Sequence, residues 1–477
     1  MWLEYASPSL KDFSLISLVN HSPNNEDPNF KKYTNNFFRT LKRFPQLESL
    51  TIHPKNPDQL NTEAWICFQD YPPGLKKLSL NFSTNIIIVD PQRDDDLNSL
   101  PIQNLSLNKL TKLTHLDLAL PAHTLLWSRV LSSIPKINSL AHLKFCYHMY
   151  GTPDHNLVVT PNDWTYISPQ LKSLQIQFHQ YPQGLEGLFA QFEKYNLTSF
   201  QFIIQNKSAL NFDLKSLLHF LEKQMKLQAL VLKLFNDWSS TRAQKFLTKL
   251  YLQISNLKTL QQLKLHFYAA TQYQVQSEPS VQDLFKKSQF IRIFEYVHDS
   301  SSPNLLPELL KLSQQVAPTL EELTIVPKKT NLSENDHLIK GIFLLLEKLK
   351  NIQVLKLSHI NFQLAKYFLE LVRYFSRFKD LKYAELPSFH SLGNREYFFT
   401  ALQNILSSKG MESLTLPFVE FSNSKTRNEL NSVLQNIQAK NPVAKIWNVY
   451  YKYADYYDDR YMRNWKKVVD QLEEQDE

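Results

Sequence analysis

Three residues of the types that bind zinc lie close together in the sequence: His142, Cys146 and His148. Zinc sites use imidazole and thiolate ligands, usually four of them, in paired spacings. The second cysteine, Cys67, lies far away in the sequence and supplies no such pair. The pattern therefore favours surface or rim positions for these side chains, and we expect no metal and no cofactor.

The stretch RDDD at residues 93–96 offers carboxylates that could bind a divalent cation. Calcium and magnesium loops space their oxygen ligands around a defined turn, whereas these carboxylates are consecutive. A solvated loop is the better interpretation of this stretch.

Common catalytic motifs were also sought. The chain has seven glycines, and none forms the cluster that a phosphate-binding loop or a dinucleotide fingerprint requires. The sequence contains no nucleophile elbow and no pair of histidines four residues apart with a glutamate between them. We therefore predict that the protein is not an enzyme.

Aromatic and basic side chains alternate in residues 446–467. The candidates for partner binding in this segment are Trp447, Tyr450, Tyr453, Tyr457, Arg460 and Trp465. Rings with interleaved cations can stack on nucleobases and hold phosphates, or they can anchor a protein interface. A cap helix over the end of the fold, with half-buried tyrosines, is the third interpretation, and all three stay open.

The composition is typical of a soluble intracellular protein. Hydrophobic residues make up 43% of the chain, which is enough for a large core, and the formal net charge of +8 is a mild excess for 477 residues. Two cysteines cannot form a disulfide framework. No apolar run is long enough to span a membrane, and the first residues lack a signal-peptide pattern. We expect a cytoplasmic protein, either free or part of the cytoskeleton or another large assembly.

One hexapeptide layout recurs along the chain, and it defines the elements that must position these residues. A large apolar residue is followed by two variable residues, a second apolar residue, one variable residue and a third apolar residue, as in LTHLDL from Leu113. A degenerate copy, FIRIFEYV, lies at Phe290, and a weak last copy begins at Val443. The mean period is about 31 residues. The other copies begin at Leu10, Leu47, Leu75, Leu140, Leu171, Leu197, Leu227, Leu260, Leu320, Ile352, Leu381 and Met411.

The alternation within each hexapeptide predicts a short strand with its apolar residues on one face. Parallel strands need a connection of about a dozen residues, usually a helix. Four intervals show apolar residues at helical spacing, namely 213–225, 337–350, 364–375 and 395–408. Each period is therefore predicted to form one strand and one return helix, stacked on its neighbours.

These hexapeptides resemble leucine-rich repeats, and the long helix-bearing units are similar to the ribonuclease-inhibitor-like branch of that family. The resemblance covers residues 10 to 450 and implies an α/β solenoid, a horseshoe with a parallel β-sheet on the concave face and helices on the convex face. The family's asparagine, three residues beyond the last strand leucine, is replaced here, for example by Lys55, Pro121 and His148. The side-chain ladder which that asparagine makes must therefore be replaced or lost.

The same pattern divides the chain. Residues 1–46 are predicted to form an N-terminal cap and a first degenerate repeat, and residues 47–442 the solenoid. Residues 443–477 are predicted to form a C-terminal cap, an aromatic-rich helical segment with an acidic tail.

Residues between the leucines are predicted to line the concave face. This face is polar and slightly basic, and it is nearly free of aromatic residues. It could dock an acidic segment of a partner, or it could be solvated strand surface. The candidate binding residues on this face are Lys77, His115, His142, Lys144, Gln175, Lys264 and His266.

A protein-interaction scaffold or an assembly subunit is the function that fits these features. One alternative is a substrate-recognition subunit of a ubiquitin ligase, as in F-box leucine-rich-repeat proteins, although the first 46 residues are short and polar for a recruiting domain. Another is an RNA-associated protein, which the net charge and the C-terminal aromatic residues suggest.

Overall fold

A computed structural model of the chain describes part of each predicted repeat. The described residues are 9–15, 40–41, 43–53, 71–81, 110–121, 134, 137–148, 168–178, 188–204, 214–236, 241–269, 284, 290–298, 305–327, 330–331, 336–357, 360–362, 370–371, 374–375, 377–385, 388–389, 411–416, 432, 435 and 445–448.

The chain divides into two compact units, of which the first comprises Met1–Glu322 and Lys348–Lys350. Ten strands of this unit pair in chain order, and every pairing is parallel. The strands are β1 (Asp12–Leu15), β2 (Ser49–Ile52), β3 (Lys77–Asn81), β4 (His115–Pro121), β5 (His142–His148), β6 (Ser173–Phe178), β7 (Ser199–Ile204), β8 (Ala229–Asn236), β9 (Gln262–Ala269) and β10 (Ile293–His298).

The second unit comprises Leu323–Glu347 and Asn351–Glu477. Its strands are also parallel and lie in two sheets. Apart from Glu322, the following strands belong to this unit: β11 (Glu322–Pro327), β12 (Thr330–Asn331), β13 (Val354–Lys356), β14 (Ile360–Phe362), β15 (Tyr383–Glu385), β16 (Ser388–Phe389), β17 (Ser413–Leu416) and β18 (Lys445–Asn448). In one sheet, these strands follow the order β11-β13-β15-β17-β18, and in the other the order is β12-β14-β16. The sequence did not predict the second, three-stranded sheet.

Leucines at equivalent positions of the repeats align across the strands. Leu78 of β3 pairs with Leu116 of β4, which pairs with Leu143 of β5. All three are at most 2% exposed, so the apolar residues of successive strands form one continuous core face. The segment from Leu113 is thus a strand flanked by its neighbouring repeats, as predicted. The fold is an α/β leucine-rich-repeat solenoid.

Helices occupy several of the connections. They are α1 (Leu188–Phe192), α2 (Leu214–Lys223), α3 (Thr241–Asn256), α4 (Leu305–Val316) and α5 (Asp336–Lys348), with a 3-10 turn at Ala317–Thr319. The helices predicted in 213–225 and 337–350 are confirmed by α2 and α5. Residues 370–371 and 374–375 of the third predicted helix are helical, and 395–408 lies outside the described residues. Within the described helices, none combines the length and apolar character of a membrane-crossing segment.

The chain turns tightly just before each strand. The amide of Leu113 donates to the carbonyl of Leu110 at 3.0 Å. The next two amides, of Thr114 and His115, both donate to the carbonyl of Lys76 in the preceding repeat, at 2.9 and 3.0 Å. The same bonds recur in later repeats, so each turn fixes the register of the following strand on its predecessor.

Hydroxyl side chains join neighbouring repeats in place of an asparagine ladder. Ser139 and Thr259 each directly precede the first leucine of a hexapeptide. The Ser139 hydroxyl lies 2.8 Å from the carbonyl of Leu113, and the Thr259 hydroxyl lies 2.8 Å from that of Leu227. Both acceptors are the first leucine of the preceding repeat, so these bridges join equivalent positions.

Replacing Thr259 by valine is expected to lower the free energy of unfolding by about 1 kcal/mol, because an isosteric apolar side chain leaves the carbonyl of Leu227 without this donor. Urea denaturation followed by circular dichroism measures the change. The same substitution at Thr51, whose hydroxyl makes no such bridge within the described residues, should have a smaller effect. Equal losses in the two variants would show that the bridge is not stabilising.

Two positions differ from the sequence predictions. The degenerate copy begins at Ile291, which is buried, and not at Phe290, which is 64% exposed. Cys146 is buried at 3% exposure, not at a surface or rim, because its strand position lies at a covered part of the sheet. Residues 445–448 form β18 and pair with β17, as the weak last copy from Val443 predicts.

Candidate binding face of the sheet

The side chains between the leucines form rows that cross the strands on the face opposite the core. We call the first two rows, from β2 to β6, the polar face. The first row contains Ser49, Lys77, His115, His142 and Ser173. The second row contains Thr51, Ser79, Asp117, Lys144 and Gln175.

A depression of about 260 Å³ lies on the polar face and is lined by both rows. Five of the seven sheet residues predicted from the sequence meet there, since parallel pairing places equivalent repeat positions side by side. They are Lys77, His115, His142, Lys144 and Gln175. The five strands extend about 19 Å across, at about 4.8 Å between neighbours.

Among the described residues, Asp117 is the one carboxylate that lines the depression, and its neighbours hold it in place. Oδ2 of Asp117 accepts a hydrogen bond from Nζ of Lys144 at 2.8 Å and one from the Ser79 hydroxyl at 3.4 Å. These three residues come from three adjacent strands. The lining therefore has a net charge of +1 with both imidazoles neutral and +3 with both protonated.

His115 and His142 are cross-strand partners and stack on each other. Their ring centroids lie 4.0 Å apart, and the ring planes differ by 11°. Nδ1 of His115 lies 2.8 Å from the hydroxyl of Thr114, which donates to the carbonyl of Lys76 at 3.1 Å. The single hydrogen of that hydroxyl is used in the bond to Lys76, so the hydroxyl can only accept a hydrogen bond from His115. Neutral His115 is therefore expected to carry its hydrogen on Nδ1, which leaves Nε2 as an acceptor.

Both imidazoles are held towards the neutral form. Loss of hydration in the stack lowers the pKa of His115, and the positive charges of His142 and Lys77 lower it further. Loss of hydration also lowers the pKa of His142, with a smaller effect from Lys172 at the start of β6. The free pair therefore charges only below the ordinary range of a histidine.

Cys146 does not suit the zinc interpretation, and the side chain of His148 lies outside the described part of the structure. Burial raises the pKa of the Cys146 thiol to about 12, so the sulfur stays protonated and is a poor ligand or nucleophile. The described residues contain no group of three histidine, cysteine or carboxylate side chains placed to hold a metal ion.

The other two predicted residues of the sheet lie in a separate cluster on β9. Glu295 of β10 joins them, since its Oε2 lies 2.9 Å from Nζ of Lys264 and its Oε1 lies 2.7 Å from Nε2 of His266. Nδ1 of His266 lies 3.3 Å from the hydroxyl of Tyr268. His266 is 5% exposed and contacts partners at both ring nitrogens. It therefore stabilises the sheet from within, whereas the sequence predicted an accessible binding residue on the face.

The hydrogen bond from His266, the largest effect, and that from Lys264 lower the pKa of Glu295 to about 2 against the opposing effect of burial. Sequence reasoning missed Glu295 because the copy of the repeat was placed one residue early. The signal was present, since Ile291, Phe294 and Tyr296 fit the hexapeptide when it begins at Ile291.

Most of the C-terminal candidates cannot be placed. Trp447 lies on β18 and is the cross-strand partner of Thr415. Tyr450, Tyr453, Tyr457, Arg460 and Trp465 lie outside the described residues.

No protein-family profile matches the chain, and no curated protein matches it. Among solved structures, the chain is similar to one described as the crystal structure of the TLR13–ssRNA13 complex, with 14% sequence identity and a TM-score of 0.34. This similarity covers 93% of the present chain and 63% of that chain. A score of this size decides neither fold nor ligand. The fold assignment depends on the repeat and on the parallel strand pairing.

Proposed function

We propose that the protein is a non-enzymatic scaffold that holds a protein partner on the polar face of its first unit. The observation that carries this proposal is that five separately predicted residues, from four neighbouring strands, line one depression. Solenoid sheets offer long continuous surfaces, on which many modest polar contacts can add up. The chain would hold its partner alone or as a subunit of a larger assembly.

Solvated strand surface is the competing interpretation, and the stacked imidazoles argue against it. An isolated polar face gains nothing from placing two partly dehydrated histidines beside Lys77 and Lys172, since each cation disfavours charge on the rings. Such an arrangement is better explained by an anionic group that binds there.

A bulky substitution on the polar face tests the proposal. Gln175→Trp fills the depression without removing a contact between described side chains, and should weaken partner binding at least tenfold. Gln315→Trp on α4 is the matched control, because Gln315 is exposed and lies off the sheet. The tagged chain is purified gently from its own cells, the partner is identified, and its affinity for each variant is measured. Partner binding that survives Gln175→Trp would overturn the proposal, whatever the effect of Gln315→Trp.

The ubiquitin-ligase and RNA-associated alternatives depend on residues 1–46 and 446–467, most of which lie outside the described residues. Membership of the ribonuclease-inhibitor-like branch and a cytoplasmic location, free or in the cytoskeleton, are part of the same proposal. They are supported by the long repeats and by the two cysteines, of which Cys146 is a buried free thiol.

A further inference from the structure

We propose that the stacked His115 and His142, with Lys77 and Lys172 beside them, bind carboxylates of an acidic peptide segment and that binding takes up protons. This inference rests on the proposed function and names the chemistry of the partner. The ligand is an extended segment rich in aspartate or glutamate, which lies across the strands of the polar face.

The geometry supplies donors for such a segment. With Nδ1 of His115 bonded to Thr114, protonation at Nε2 creates a new N–H donor that points away from that bond. Stacking at 4.0 Å keeps the two rings together, so one carboxylate can neutralise charge on both. At about 3.3 Å per residue, a segment of about six residues spans the five strands of the depression.

Charges around the pair come from every strand packed against it. Lys77 of β3 and Lys172 before β6 flank the stack, and Asp117 on β4 is already held by Lys144 of β5. An incoming carboxylate therefore meets uncompensated positive charge at the stack. A segment with several acidic residues can also reach Lys144, whose charge is shared with Asp117.

A peptide fits this site better than a nucleic acid. Single-stranded nucleic acids are held by aromatic side chains on which bases stack, in a groove of uniform positive charge. The described residues of the lining include no phenylalanine, tyrosine or tryptophan on which bases could stack. This feature disfavours a nucleic acid.

Proton uptake on binding makes the affinity of the site depend on pH. An anion that binds the imidazolium form raises the pKa of both rings, so binding takes up protons between the low pKa of the free pair and the higher pKa of the complex. Affinity must then rise as the pH falls through this window, by up to tenfold per pH unit for each proton taken up. A site made of lysines alone would show no such slope between pH 5.5 and 7.5.

The test uses hexa-aspartate labelled with tetramethylrhodamine, a probe whose own charge changes little above pH 5.5. Fluorescence anisotropy at constant ionic strength should show affinity for the full-length protein at least tenfold higher at pH 5.5 than at pH 7.5. The double variant His115→Gln/His142→Gln should change less than twofold over the same range. Calorimetry in two buffers of different ionisation enthalpy should detect proton uptake by the wild type and none by the double variant.

His219→Gln is the matched control. His219 is exposed on α2, within 3.6 Å of Glu193 and 3.4 Å of Glu222, and lies off the polar face. This variant should keep the wild-type slope. Circular dichroism must show the same fold in the double variant. Lys77→Met, which removes a positive charge from the site, should weaken binding at pH 7.5 and is a second check on the site.

Several results would overturn the inference. They are equal slopes in the wild type and the double variant, no binding of the peptide at pH 5.5 in low salt, or tighter binding of labelled hexauridylate than of hexa-aspartate. If the peptide binds with no pH dependence and Gln175→Trp weakens that binding, the histidine inference is wrong but the scaffold proposal stands. Native partner binding that is indifferent to Gln175→Trp would instead count against the scaffold proposal.

Discussion

Replacing Phe200 by alanine is expected to lower the free energy of unfolding by about 3–5 kcal/mol. Phe200 is fully buried, and its ring centroid lies 4.7 Å from that of Phe220 on α2 and 6.3 Å from that of Phe189 on α1. Truncation would remove these ring contacts and leave a cavity between the sheet and both helices. Urea denaturation followed by circular dichroism measures the loss.

The aromatic cluster also explains why α1 exists. Five residues are too few for a stable isolated helix, so α1 (Leu188–Phe192) depends on the burial of Phe189 against Phe202 and Phe220. Hydrogen exchange in 188–204 should therefore rise in Phe200→Ala before global unfolding. Phe290→Ala is the control, because 64% of Phe290 is exposed and its truncation should change stability by no more than about 0.5 kcal/mol. Similar losses in both variants would contradict the cluster's role.

The strands of the first unit could be predicted because the alternation within each hexapeptide leaves one buried face. The helices α2 and α5 could be predicted from their apolar spacing. In contrast, α1 is too short for a periodic signal, and β12, β14 and β16 have two or three residues each, which is too few to show alternation. These elements form because their neighbours are already in place.

The composition of the polar face could likewise be read from the sequence, but its pairings could not. His115 and His142 are 27 residues apart, and their contact depends on strand register and on the rotamers of both side chains. Strand register also explains why Glu295 was not predicted as a residue of the polar side of the sheet. A copy that starts at Phe290 puts Glu295 with the core residues, whereas one that starts at Ile291 puts it on the opposite face, because a shift of one residue reverses every side chain of a strand.

Glu295→Gln is expected to lower the free energy of unfolding by about 3 kcal/mol at pH 7. The pKa of Glu295 is about 2 in the folded protein against an ordinary value of 4.5, so the carboxylate is stabilised by its bonds to His266 and Lys264. A lowered pKa contributes stability that is fully present above pH 4.5 and is lost as the pH falls towards 2. The difference between wild type and variant should therefore shrink from pH 4.5 downwards, as measured by urea denaturation at pH 7, 4 and 3.

Subtracting the variant from the wild type removes the titration of all other carboxylates, because both proteins share them. Glu321→Gln is the matched control. Glu321 makes a bidentate pair with Arg292, with both bonds 2.7 Å long, but the arginine side chain is 55% exposed. Solvent screens this pair, so its loss should cost at most about 1 kcal/mol and should leave the pH dependence nearly unchanged. If Glu295→Gln also cost at most about 1 kcal/mol with little change in pH dependence, His266 and Lys264 would not be stabilising a charged carboxylate inside the sheet. Packing alone would then account for the stability of the cluster.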